Sequence, residues 1–270
     1  MNESTHLKIL SCNIRVDVAE DGQAGNGWND RKELCADVMR AQNADLICLQ
    51  ENTNAQYADL RHGLAEFDSF GLQNPALEFS PNNAIFYKRS RFELASAGGF
   101  WLSEMPHVAG SVSWGSARPR FVNWVDLKEH RSGRKLRMWN LHLDHIGESA
   151  REEQARVFVE GAQVYGNDFP QLVAGDFNCD ASNTAIEIVK AGGWLDTYTA
   201  MHGPEDPGFT YHAFLGPGFA ESRPPENTIG KIDFIFCRGP VKTLTAEIIR
   251  DSRDGRYPSD HYFISAEVEL

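Results

Sequence analysis

Apolar runs of strand length recur along this chain, and most of them stop at a polar residue that a strand interior would reject. Residues 7–16 (LKILSCNIRV), 44–51 (ADLICLQE), 83–94 (NAIFYKRSRFEL), 119–128 (PRFVNWVDLK), 134–144 (RKLRMWNLHLD), 171–178 (QLVAGDFN), 231–237 (KIDFIFC) and 261–270 (HYFISAEVEL) read as strands, several with the two-residue alternation of a half-buried strand. Between them lie segments of helical period. Residues 28–42 carry Leu34, Val38 and Ala41 on one face behind an Asn29 or Asp30 cap, 148–166 form a long amphipathic stretch, and 182–193 end in a glycine stop. This alternation predicts an α/β fold with helices packed outside strands that form the core. No Pro-rich or Gly/Ser-rich linker interrupts it, so one domain over residues 1–270 is expected. The long loop from His202 to Thr228 is expected to border a site.

The polar residues fall at equivalent places. Asn13 follows ILSC, Gln50 and Glu51 follow LICL, Asn140 and His142 lie in MWNLHLDH, Asp176 and Asn178 in VAGDFN, Asp233 in KIDFIF, and Asp260 with His261 opens the last strand. Taken singly, each has a plain explanation: a turn or cap residue, a satisfied core histidine, or a first-turn acid at Glu51. Acids and amides are nonetheless poor strand residues unless something satisfies them. If the strand ends meet at one edge, these groups share one pocket. In GDFN, Gly175 lets the backbone sit close, and the pleat is expected to send Asp176 and Asn178 to one side and Phe177 into packing.

Carboxylate and amide oxygens are hard ligands suited to Mg²⁺ or Mn²⁺. Phosphate-ester hydrolysis needs neutralised charge, a positioned water and relief of charge on the leaving group. Histidine supplies proton transfer near neutrality. The inventory therefore fits metal-dependent phosphoester hydrolysis. The five cysteines (Cys12, Cys35, Cys48, Cys179, Cys237) are scattered, without zinc spacing, and read as small buried residues in a reducing compartment. The formal charge of −12 and the pI near 5.2 disfavour tight non-specific nucleic-acid binding. No apolar run approaches the roughly 18 residues of a membrane span, and MNESTHLKIL lacks a secretory pattern, so a cytoplasmic monomer is expected.

Asn13 in SCNIR, LQE at 49–51, WNLHLDH at 139–145, GDFN at 175–178, IDFIF at 232–236 and SDH at 259–261 resemble, in order, the motifs of the endonuclease/exonuclease/phosphatase superfamily, the group containing deoxyribonuclease I and exonuclease III. The pieces GGFWLSE, PRFVNW and YPSDH resemble a bacterial branch of that group. The resemblance implies a four-layer α/β sandwich of two mixed sheets with helices outside. Glu51 would be the principal metal carboxylate, helped by Asn13 and Asp260. Asp176 and Asn178 would position or activate water and hold the phosphate. His261, oriented by Asp233, would contact the phosphate or move a proton. His142 would bind phosphate or act as general acid, with Asn140 beside it, and Arg120 would clamp a phosphate oxygen. Arg118 stands close enough in sequence to compete for that role. Glu78 is a further carboxylate partner for His142, with a plain surface acid as the simpler reading. Asp144 and His145 are open between substrate contact and solvated loop, and Trp28, Trp101 and Trp114 between ring stacking and core.

Three readings follow: a phosphoesterase acting on a small or terminal mono- or diester, a DNA or RNA nuclease with the same site, and a catalytically silent phospholigand-binding protein.

Overall fold

The strand segments assemble into two sheets, each covered by helices on its outer face. The computed structural model describes residues 4–71, 82–223 and 230–270. One sheet contains β1 (His6–Asn13), β2 (Leu46–Gln50), β3 (Phe67–Phe70), β4 (Ile85–Lys88), β11 (Lys242–Ile249) and β12 (Phe263–Glu269), in the order β11-β12-β1-β2-β4-β3. The other contains β5 (Phe92–Trp101), β6 (Phe121–Glu129), β7 (Lys135–His142), β8 (Gln171–Asp176), β9 (Leu195–Asp196) and β10 (Asp233–Arg238), in the order β5-β6-β7-β8-β10-β9. Both are mixed: β1–β2 and β7–β8 run parallel, the remaining pairs antiparallel.

Residue alternation decides the layers. Ile9, Leu46, Cys48, Ile85, Ile264 and Ala266 of the first sheet meet Val125, Leu136, Met138, Leu172, Ala174 and Ile235 of the second. The opposite face of the first sheet (Leu10, Cys12, Ile47, Leu49) packs on Leu34, Cys35, Val38 and Met39 of α2 (Trp28–Ala41) and on Tyr57 and Leu60 of α3 (Asn54–Gly63). The outer face of the second (Val122, Trp139, Leu141, Val173) packs on Phe158 of α4 (Glu148–Ala162) and Ile186 of α5 (Thr184–Ala191). The result is the expected four-layer α/β sandwich. Two short helices complete it: α1 (Ala19–Gln23) and α6 (Thr197–His202). All five cysteines are free and buried.

Several local expectations change. The run 83–94 is two strands in different sheets, because the turn closed by Arg91 N–H to Lys88 O carries the chain across. Helix α2 starts at Trp28 with Gly27 as its cap, so neither Asn29 nor Asp30 caps it. Strand β1 stops at Asn13, because Arg15 adopts a left-handed backbone, φ +58°. The last strand starts at Phe263; Asp260 and His261 precede it and pair instead with residues 210–212, His212 N–H donating to Asp260 O and Tyr262 N–H to Thr210 O. Strand β11, a polar edge strand, has no counterpart in the sequence reading.

Gly175 behaves as the sequence suggests. A Cβ built there would lie 2.2 Å from the Leu141 carbonyl oxygen of the neighbouring strand. Gly175→Ala is therefore expected to cost roughly 3 kcal/mol, measured as a lower midpoint in chemical denaturation.

Candidate active site

The parallel pairs bring the carboxyl ends of β1, β2, β7 and β8 to one rim, and the antiparallel β10 and β12 bring their amino ends there. Register then sets neighbours: His142 lies opposite Asp176, and Asp176 opposite Asp233. His261 reaches in from the loop before β12. Its Nδ1 is 2.9 Å from Asp233 Oδ2, and its Nε2 is 3.9 Å from Asp176 Oδ2. Thr210, buried in the loop beyond α6, holds the start of β10 by accepting Ile232 N–H and Asp233 N–H at 3.0 and 3.3 Å on Oγ1.

The charges in this cluster oppose one another. Burial pushes the Asp176 carboxyl up to about 7, and the nearby Asp233 charge pushes the same way. Burial acts against the His261 cation, but Asp233, through its charge and hydrogen bond, raises that ring to about 10. His142 lies well below its ordinary value, first through burial and then through the Arg120 cation. Neutral His142 and protonated His261 thus face one aspartate from two sides.

Glu51 sits on the turn after β2 with φ +64°, a left-handed conformation that costs a non-glycine residue on the order of 1 kcal/mol. It is not a first-turn helix acid, since Thr53 caps α3 through a capping box. Its Oε2 accepts Val16 N–H at 2.9 Å, and its Oε1 accepts Asn13 Nδ2 at 3.2 Å. The same Nδ2 donates to Asp176 Oδ2 at 2.9 Å, while Asn13 Oδ1 accepts Arg15 N–H. Asn13 therefore turns its NH₂, not its oxygen, toward the acids; here it aligns two carboxylates rather than offering a ligand atom. Buried Asp260 completes the acidic side, its carboxyl raised by burial and by Glu51, with Arg15 Nε 3.7 Å away.

Glu51, Asp176, Asp260, His142, Asn178 and His261 line one cavity of about 730 Å³. Ligand atoms of Glu51, His142 and Asp176 lie within 4.8 Å of one another, as do those of Asp176, Asp233 and His261. A hard divalent cation fits this set: the donors are mainly carboxylate oxygens with lone pairs to spare, and the raised Asp176 and Asp260 carboxyls mark a floor short of positive charge.

Asn178 reaches the cavity by a different route from the expected pleat. It lies beyond β8 with φ +52°, its N–H on Asp176 Oδ1 at 2.8 Å. Its Nδ2 donates to Leu143 O at 2.9 Å and to His142 Nε2 at 2.7 Å, which leaves the His142 proton on Nδ1. Phe177 is fully buried in the outer core, as expected. Asn140 does not reach the site. It is fully buried between the sheets, donating to Leu49 O and Ala84 O and accepting from Gln50 Nε2, and so ties the two sheets together behind the rim. Asp144 is neither solvated nor substrate-facing: it is buried and accepts hydrogen bonds from Ser116, Ala117, Ile146 and Gly147. Arg120 and His145 do line the cavity. Trp28 and Trp101 are buried, Trp114 half-buried. Glu78 lies outside the described residues.

One residue that the sequence reading passed over organises the rim. Arg31 of α2 is buried and donates to four carbonyls, those of Asn26, Ile14, Pro258 and Arg15. It joins the turn after Asn13 to the turn before Asp260. Its signal was positional: an arginine in register with Leu34, Cys35 and Val38 on the apolar face. Arg31→Met would strand those carbonyls, with an expected loss on the order of 3 kcal/mol and weaker Mn²⁺ binding by calorimetry; Arg31→Lys should recover only part of either.

A family model described as "Endonuclease/Exonuclease/phosphatase family" matches residues 10–261. A crystal structure of a family protein from Bacteroides thetaiotaomicron superposes with a TM-score of 0.85 at 26% identity, covering 99% of both chains. A mannosyl-6-phosphatase of the same organism gives 0.82 at 26% identity, covering 97% of this chain and 99% of that one. Nocturnin of Drosophila melanogaster is 25% identical over 99% of this chain, which spans 47% of that protein's length.

Proposed function

We propose, given that the chain belongs to the endonuclease/exonuclease/phosphatase family, that it is a divalent-metal-dependent phosphoesterase acting on a small or terminal phosphate ester. The observation that carries this reading is the convergence of Glu51, Asp176, His142, Asn178 and His261 on one cavity, with Asp233 behind His261. Glu51 and Asp260, next to Asp176, would hold the cation. Bound there, Mg²⁺ or Mn²⁺ would neutralise developing charge on phosphate oxygens.

The remaining work falls to this chain's own groups. Asn178 lines the cavity and keeps Oδ1 as an acceptor for water, its NH₂ being committed to His142 and Leu143. Asp176, pushed up to about 7, is matched to taking a proton from that water near neutrality. Protonated His261 donates to a phosphate oxygen, and Asp233 keeps its ring charged and oriented. Arg120, which also lines the cavity, supplies a second donor.

The pH dependence has a definite sign. The folded-state pKa of Asp176 lies above its ordinary 3.8, so its contribution to stability is full below that value and is lost as pH rises through about 7. The ionised, cation-binding form gains population over the same window. Activity and Mn²⁺ affinity should therefore climb toward a plateau above pH 7, with a slope of up to about tenfold per pH unit below it; a flat profile from pH 5 to 8 would contradict the role given to Asp176.

Likeness to the mannosyl-6-phosphatase and the acidic charge favour a small ester. A nuclease with the same chemistry is the second reading, favoured by Arg118 and Arg120 on the cavity wall. A catalytically silent phospholigand-binding protein would have no need of the Asp233–His261 pair. Turnover of sugar phosphates, mononucleotides and chromogenic esters, compared with oligonucleotides and plasmid at several salt concentrations, separates the readings. The small-ester reading fails if only nucleic acid is cleaved.

A further inference from the structure

The cavity is lined by acids and by cations. Glu51, Asp176 and Asp260 line it, with Arg15 beside Asp260, and so do Arg118, Arg120 and His145, which lie close enough for the arginine charges to bear on the imidazole. Several arginines away from the cavity sit on a carboxylate: Arg89 on Asp68, Arg91 on Asp45, Arg137 on Asp126. The arginines of the cavity wall are less fully satisfied. The Arg120 side chain is only 10% exposed, yet its Nε has no hydrogen-bond partner among the described residues. Its nearest acid, Asp144, is 3.8 Å away and already accepts four hydrogen bonds.

His145 does not relieve this excess. Its Nδ1 lies 3.1 Å from Arg120 Nη2 and must accept, since a guanidinium only donates. The His145 proton is therefore on Nε2, available as another donor. Arg118 is exposed at the rim and makes no ion pair among the described residues; its charge bears on both Arg120 and His145. A scissile phosphate on the acidic floor is met by His261 and Arg120. Arg118 and the His145 Nε2–H are left over, farther out on the same wall.

We propose that Arg118 and His145 form a second anion subsite, so that the preferred substrate carries another phosphate close to the one that is cleaved. The hydrolytic part of this statement rests on the proposed function; the binding part does not. The second phosphate belongs either to a small bisphosphate ester or to the neighbouring position of a nucleic-acid strand, and paired ligands distinguish the two. The pairs are glucose 1,6-bisphosphate against glucose 6-phosphate, and a 5′-phosphorylated diadenosine against its unphosphorylated form.

Affinities are measured by calorimetry on the unsubstituted protein with Ca²⁺ in place of Mg²⁺ to hold turnover off, and kcat/KM on the same protein with Mg²⁺. In at least one pair the doubly phosphorylated member should bind at least tenfold more tightly and, where cleaved, turn over with at least tenfold higher kcat/KM. Arg118→Ala should shrink that ratio to within about twofold of unity, and Arg118→Glu should invert it. Raising salt to 0.5 M should also shrink it, since an exposed charge pair is screened. No preference in either pair, or a preference that survives Arg118→Ala, overturns the second subsite. Preference in binding with no turnover of any ester overturns the hydrolase and leaves the subsite standing.

Discussion

Replacing His261 by alanine is expected to lower kcat by about 10²–10⁴-fold, the usual weight of a positioned proton-transferring group, while the protein stays folded. The ring occupies a place no other residue can fill. Its Nδ1 is held by Asp233 at 2.9 Å and its Nε2 faces the cavity beside Asp176. Asp233→Asn should reproduce much of the loss without emptying the space, because the amide keeps a hydrogen bond but removes the charge that holds the ring protonated. His261 would then fall from about 10 toward its ordinary 6.5 or below, burial being the opposing influence. In the Asp233→Asn protein, activity should accordingly decline as pH rises through neutrality. The check is kcat at saturating substrate and metal, with near-ultraviolet circular dichroism confirming the fold. A loss confined to KM would show that His261 only binds.

Replacing Glu51 should be as damaging, through the cation rather than the proton. Several kcal/mol of charge stabilisation corresponds to roughly 10³-fold in rate, and Glu51→Ala should also remove measurable Mn²⁺ binding. Backbone strain makes a sharper variant available. Because Glu51 sits at φ +64°, Glu51→Gly relieves a conformational cost of about 1 kcal/mol, though it also loses the hydrogen bonds from Val16 and Asn13. The expected outcome is an inactive protein whose thermal midpoint falls less than that of Glu51→Ala. Such a split is what a residue held in strain for function should give.

The layered fold was readable because burial on both faces writes itself as apolar runs. The β2 segment LICLQ is buried at every position. What the runs conceal is which sheet a strand joins: residues 83–94 are uninterrupted in pattern yet divide between sheets at Arg89–Arg91. The convergence at the candidate site was readable through polar residues at strand ends, since Glu51, Asp176, Asp233 and His261 meet where those ends meet. Side-chain direction was not. Asn140 sits two residues from His142 at the rim yet points between the sheets, and Asn13 faces the acids with its nitrogen. Amide orientation depends on long-range carbonyl partners that no local pattern records. Arg31 and Thr210 escaped for the same reason, because their partners lie on segments up to 227 residues away for Arg31 and in the turn before β10 for Thr210.

Hydrolysis of phosphate esters at this cavity is proposed to depend on a divalent ion at the Glu51–Asp176–Asp260 floor. Phosphate release followed by phosphorus-31 NMR, on the ester panel, tests it most directly. The protein is stripped with EDTA, restored with Mg²⁺ or Mn²⁺, and compared with Glu51→Ala under the same conditions. Release is expected to stop with EDTA, to return with added metal, and to be absent from the variant at every metal concentration. Release that is indifferent to EDTA, or equal in the variant, would contradict it.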